Sequence, residues 1–301
     1  MSAQETNDRA GLRLAFMGFG EAASAFVSGW SEGAGLDIRA FDVKTTAGDE
    51  QTRAGKVADY VQAGVTGFDD PAAMLGDRMT VFSTVTADQS LVAARTAARS
   101  IRPGACYLDC NSCAPDTKRA ASAVIEAAGG CYVDVAVMAP VYPKRHKVPL
   151  LISGPQAAAA KAVFSALEME AEVVSDAVGF ASSVKMIRSV MVKGMEALVL
   201  ECVLSGRKAG VDHLVLSSLE KTFPGFGWEK RAAYMMERVA THGLRRAAEM
   251  REVALTVEQL GLFGDMARAT VEWQQRVGEL AVDIGEADYG PAADKLLAKI
   301  T

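Results

Sequence analysis

Residues 12–23 read LRLAFMGFGEAA, and the fold turns on this run. A short, almost wholly apolar stretch over 12–17 passes straight into Gly18, Phe19, Gly20, Glu21, Ala22 and Ala23, a G-x-G-x-x-A. An apolar run of that length reads as a buried strand, and the small residues after it as a turn that opens a helix. The first glycine permits the tight turn, the second lets a pyrophosphate approach the backbone, and Ala23 lets helix and strand pack closely. The helix N-terminus then presents N–H groups to the diphosphate. A plain glycine-rich turn also fits this pattern, so its context decides. Asp42 closes the next apolar run about 20 residues on, where an acid binds both ribose hydroxyls and repels a 2′-phosphate. The run therefore predicts a dinucleotide site that prefers NAD. Lys44, a cation two residues later, makes NADP the alternative.

Outward from this point, short apolar runs at 37–41, 79–85, 106–109, 132–138 and 150–152 read as further buried strands. Helical stretches near 20–32, 52–63, 88–100, 115–128 and 156–168 lie between them. Strands alternating with helices of this length imply βαβ units in a mainly parallel, doubly wound sheet. After about residue 179 the strand signals stop. Helix formers fill 181–208, 212–222, 228–260, 262–284 and 291–299, with Pro224, Gly225 and Gly227 marking a loop. The expected organisation is a loose tail over 1–10, an α/β domain over 11–178 and an all-α domain over 179–301.

At 301 residues, 50% hydrophobic and 23% charged, the composition is that of an ordinary globular protein. A net charge of -5 argues against a nucleic-acid binder, which needs a basic surface. No apolar run approaches the ~20 residues that cross a bilayer. The first ten residues lack the apolar core of a signal peptide, so a cytoplasmic location with reduced thiols is expected. Cys110 and Cys113 form a C-x-x-C, but the three histidines are scattered without ligand spacing, so no metal site is predicted.

Four segments, in order, resemble the β-hydroxyacid dehydrogenases, the family of the 3-hydroxyisobutyrate and 6-phosphogluconate dehydrogenases. They are 18–23 with the Phe41-Asp42-Val43 run, DCNSCAP at 109–115, DVAVMAP at 134–140, and GFASSVKMIRS at 179–189. The resemblance covers about the first 200 residues. The rest looks like the helical domain of some phosphogluconate-dehydrogenase-like proteins. It implies a Rossmann domain binding NAD(P), a helical substrate and dimerisation domain, and Lys185 as the catalytic lysine. Two segments depart from the family pattern. Met138, Ala139 and Pro140 replace the Ser-Gly-Gly that would hold a substrate carboxylate, and Arg188 and Ser189 stand where the family has two asparagines. The reaction type therefore transfers better than the substrate.

The residues support that chemistry directly. At about 100° per residue, Lys185, Arg188, Ser189, Val192 and Glu196 fall on one narrow helical face, while the other faces are apolar. Such a helix should be buried with its polar stripe along a cleft. Lys185 would take the substrate hydroxyl proton as hydride leaves, its pKa depressed by burial and by the neighbouring cation Arg188. Asn111, at a strand end, is assigned to the nicotinamide ribose or the substrate, and Ser112 to a substrate oxygen. Thr84, Val85 and Thr86 complete the cofactor contacts. Met138, Ala139, Pro140, Arg188 and Ser189 are the substrate candidates, with Asp109 and Asp134 structural. His242, Arg245, Arg246 and Glu249 recur on one face of a late helix. The resemblance implies that His242 and Arg246 reach a substrate, against the plain reading of a solvated face. The expected partners are a small hydroxy or oxo acid and a second copy of the chain, joined mainly through residues after 179. Imine reduction, for which this scaffold is also known without the lysine, and a non-catalytic nucleotide-binding homologue are the alternatives.

Overall fold

The computed structural model describes residues 11–30, 35–285 and 288–300, and the tail expected over 1–10 lies outside them. The chain begins with β1 (Arg13–Met17), α1 (Glu21–Trp30), β2 (Asp37–Phe41), α2 (Glu50–Ala63), β3 (Thr66–Phe68), α3 (Pro71–Leu75) and β4 (Thr80–Ser83). It continues through α4 (Ser90–Ala98), β5 (Cys106–Asp109), α5 (Pro115–Ala127), β6 (Cys131–Val137), β7 (Leu150–Ser153), α6 (Ala157–Ala166) and β8 (Ala171–Ser175). The strands form one sheet in the order β3-β2-β1-β4-β5-β6-β7-β8, parallel except where β6 meets β7. The order reverses between β1 and β4, so a crevice for a ligand is expected where their carboxyl ends part.

Strand alternation gives the sheet two buried faces. Leu14 and Phe16 of β1 pack on one side with Phe26 and Trp30 of α1 and Phe164 of α6. Ala15 and Met17 pack on the other with Ala93 and Ala97 of α4 and Ile125 of α5. A sheet covered on both sides requires strands that are apolar at nearly every position, and this explains the continuous apolar runs of the sequence. The edge strands β3 and β8 and the short α3 were not expected from the sequence. Both edges are largely exposed, so they carry no apolar signature.

Beyond β8 the chain is helical: α7 (Phe180–Ala209), α8 (Asp212–Thr222), α9 (Trp228–Gln259), α10 (Asp265–Glu279) and α11 (Tyr289–Ile300). The compact units divide between Lys185 and Met186, inside α7. Leu200, Val203 and Leu204 of α7 share a core with Met236 and Val239 of α9, Val277 of α10 and Leu296 of α11. Helices α9 and α10 touch backbone to backbone, since a Cβ on Gly243 would sit 2.4 Å from the Gln274 carbonyl oxygen. Among the described residues no helix is long and apolar enough to cross a membrane.

The surroundings of α7 differ from expectation. Ser189 and Glu196 are buried and Lys185 is half-buried, but Arg188 is exposed. The apolar flank is not covered: Ile187, Met191 and Leu198 are 52%, 66% and 60% exposed. The helix carries more apolar surface than this single chain buries.

Candidate active site

The fingerprint turn is built by tight backbone packing. Gly18 has φ +85°, and a Cβ there would lie 2.6 Å from Val85 Cγ1 and 2.8 Å from the Thr84 carbonyl oxygen. Its N–H donates to the Phe41 carbonyl at 2.8 Å. Gly20, by contrast, has open space where a Cβ would point. One glycine closes the turn and the other leaves it accessible, as a bound diphosphate needs, and α1 begins directly after with its partial positive end. Asp42 is held by two backbone donors, the Phe19 N–H at 2.9 Å and the Lys44 N–H at 3.0 Å. It caps the short 3-10 turn that carries Lys44, whose side chain is exposed. Glu21 is exposed, and Phe19, Ala22 and Ala23 line the packed side of the turn. These residues fit a dinucleotide.

The loops after β1, β4 and β5 are joined in sequence. The Thr84 hydroxyl donates to the Gly18 carbonyl at 2.8 Å. The Val85 N–H donates to Asn111 Oδ1 at 2.7 Å, and Thr86 opens the next short turn. Asn111 Nδ2 donates to Ser83 Oγ at 2.9 Å and Ser90 Oγ at 3.2 Å. Asn111, assigned to the nicotinamide ribose or the substrate, is 3% exposed, with both ends of its amide bonded to Val85, Ser83 and Ser90. Its neighbour Ser112 turns the other way and accepts a hydrogen bond from Lys185 Nζ. The fingerprint, the loop over 84–86, Asn111, Ser112 and Lys185 thus form one chain of contacts at the carboxyl ends of β1, β4 and β5.

Beneath them lies a charged cluster that pattern reading did not assemble. Lys118 of α5 is fully buried, its Nζ 2.6 Å from the Asp109 carbonyl oxygen, 3.0 Å from Asp109 Oδ1 and 3.4 Å from Asp134 Oδ1. Burial alone would push the ammonium's pKa down, but Asp109, Cys113 and Asp134 more than offset that, and the net shift is upward. Breaking such a buried pair costs about 3–5 kcal/mol because the remaining charge is left in a dry interior. The available signal was positional: Lys118, Ala121, Ser122 and Ile125 form the buried face of α5, where a lysine is out of place. Lys56 is a second such residue, buried on α2 and donating to the Phe19 carbonyl at 2.7 Å beneath the fingerprint. Cys110 and Cys113 are buried thiols in no disulfide, with Cys110 pushed up to about 12 by burial.

The remaining candidates divide. Met138 is partly buried after β6, and Ala139 and Pro140 are exposed. In the helical unit, Ser189 is buried and Arg188 exposed on α7. Arg246 is buried in an ion pair with Glu196, which also accepts from Gln274 Nε2 at 3.2 Å. His242 is half-buried, its pKa lowered by burial and then by Arg238 and Arg245.

Comparison with known proteins agrees with this architecture. Residues 207–277 match a domain of unknown function, DUF1932. A conserved hypothetical protein from Sinorhizobium meliloti 1021 is 35% identical, with 99% of each chain covered and a TM-score of 0.74. MTH1747, a conserved protein of unknown function reported as structurally similar to 3-hydroxyacid dehydrogenases, is 27% identical over 90% of this chain and 100% of its own, TM-score 0.66. The Mycobacterium tuberculosis 3-hydroxyisobutyrate dehydrogenase shares the fold at 15% identity over 95% and 99% of the two chains, TM-score 0.68. The fold is that of the 3-hydroxyacid dehydrogenases, and its fingerprint turn fits a dinucleotide. The chain belongs to the same family as the Sinorhizobium meliloti protein, and it carries the DUF1932 domain over residues 207–277.

Proposed function

We propose that this protein is an NAD(P)-dependent oxidoreductase that oxidises the hydroxyl of a 3-hydroxy acid, or reduces the corresponding oxo acid, with Lys185 as general acid and base. The observation that carries this reading is the hydrogen bond from Lys185 Nζ to Ser112 Oγ, in the same chain of contacts as the dinucleotide turn. The nicotinamide, when bound, takes or gives the hydride. In the oxidative direction the neutral Lys185 amine accepts the hydroxyl proton, and in the reductive direction its ammonium returns one. Ser112 holds that amine in place and offers its own oxygen to the substrate. Exposed Arg188, one turn further along α7, is the cation for the substrate carboxylate, with Ser189 beside it in sequence. Met138, Ala139 and Pro140 shape a carboxylate cradle unlike that of the family pattern. His242 and Arg246 remain substrate candidates.

Asp42 supports NAD as the preferred cofactor, with NADP the alternative. The uncovered flank of α7 supports a homodimer formed through the helical half, and five cysteines outside any disulfide suit a cytoplasmic setting. Imine reduction is disfavoured because Lys185 is present, and a non-catalytic role is disfavoured by the partner that lysine has. The test is turnover, read by nicotinamide absorbance over a panel of hydroxy acids, with Lys185→Ala as the deciding variant. Loss of a general acid–base group lowers kcat by ~10²–10⁴-fold, and dinucleotide affinity should hold. Lys185→Arg should not rescue, since a guanidinium stays protonated. Near-normal kcat in Lys185→Ala would end the assignment.

A further inference from the structure

Ser83, Asp109, Asp134 and Ser153 stand opposite one another in register on β4, β5, β6 and β7. The row's hydrogen bonds lead to both ends of the Lys185–Ser112 pair. On the side of α7, Asp134 Oδ1 accepts from the Ser182 hydroxyl at 2.6 Å and Oδ2 from the Ser182 N–H at 3.0 Å. Ser153 Oγ accepts the Ala181 N–H at 3.0 Å and itself donates to Asp134 at 3.2 Å. Two first-turn N–H groups of α7, which have no partner within the helix, are thus taken by side chains of the sheet. On the side of Ser112, Asp109 accepts from the Asn111 N–H at 3.0 Å, from Tyr132 OH at 2.7 Å and from Ser90 Oγ at 3.1 Å. Lys118 lies between the two carboxylates.

We propose that Asp134 and Ser182 are positioning residues for Lys185: they fix the first turn of α7 on the sheet, and Lys118 ties that turn to the strand end that presents Ser112. Lys185 lies one turn beyond Ser182, on the same side of the helix, so a shift of that turn carries the amine with it. Three features separate this arrangement from an ordinary helix cap. The cap comes from a strand rather than from the residue before the helix, it uses a carboxylate at 0% exposure, and its counter-charge is shared with the Ser112 loop. The inference rests on the reading of Lys185 given above.

The test compares Ser182→Ala, which keeps the fold-bearing N–H bond to Asp134, with Asp134→Asn. Asp49→Ala is the comparator, because it removes an ordinary cap, Asp49 to the Thr52 N–H, from α2. A misplacement near 1 Å can cost up to about 100-fold, so kcat should fall roughly 10- to 100-fold in both site variants with KM and dinucleotide Kd within about twofold. Asp49→Ala should lower the melting temperature and leave kcat alone. Independently of turnover, the pH dependence of Lys185 acylation, followed by peptide mass spectrometry, should shift in both site variants and not in Asp49→Ala. If Asp134→Asn does not fold, Ser182→Ala decides the matter alone. Unchanged kcat and unchanged acylation midpoint in Ser182→Ala overturn the proposal. When Lys185→Ala is inactive but Ser182→Ala is normal, only the positioning role falls. When Lys185→Ala is itself active, the functional reading falls, and the acylation profile still judges whether Ser182 places the amine.

Discussion

Gly18 and Asp42 show how much one position can fix. With φ at +85° and backbone within 2.8 Å of where a Cβ would stand, Gly18 admits no side chain without moving the loop over 84–86. Gly18→Ala should therefore raise the dinucleotide Kd about tenfold or more, a strain of about 1–3 kcal/mol read by calorimetry. Asp42→Ser should narrow the preference for NAD over NADP by removing the carboxylate's repulsion of the 2′-phosphate. If the unmodified protein binds NADP more tightly than NAD, Lys44 dominates and the assignment is wrong. Both positions could be singled out in the sequence because the roles expected of them follow from chain geometry within one βαβ unit. Asn111 was legible only as a polar residue at a strand end. That its amide would be divided between Val85, Ser83 and Ser90 depends on hydrogen bonds to residues at least 21 positions away, which no local pattern encodes.

Elements read well from the sequence when they were long and one-sided. The amphipathic α9 was expected at 228–260 and spans Trp228–Gln259. Its faces were another matter. Arg246 was grouped with the polar stripe, yet the partner that buries it, Glu196, sits on a different helix. Leu244, an apolar residue of the same helix, is exposed. The β3 and β8 edges were missed because a half-solvated edge strand is not apolar enough to stand out. The α9–α10 contact yields a sharp test of packing. Gly243→Ala drives a methyl against the backbone of α10 and should destabilise the helical unit by about 1–3 kcal/mol or more in denaturant unfolding. Gly55→Ala on α2, where a Cβ meets nothing within 4 Å, should instead gain about 0.4–1 kcal/mol. Equal effects at the two glycines would show that helix propensity, not close approach, governs Gly243.

Across the whole chain, the exposed apolar residues of α7 are not scattered. Phe180, Val184, Ile187, Met191 and Leu198 recur at steps of three, four and seven, which places them along one line of the helix. A continuous apolar stripe of this kind suits burial against a second copy, and light scattering should give twice the chain mass at micromolar concentration. Ile187→Asp with Met191→Asp should return a monomer, and a monomeric unmodified protein would refute the assembly. One other feature belongs to this scale. The two compact units part immediately after Lys185, so the amine proposed to handle the proton belongs with the fingerprint turn although it rides on the helix that founds the other unit. Under that proposal, substitutions after this residue are expected to alter what the protein recognises while leaving dinucleotide affinity alone.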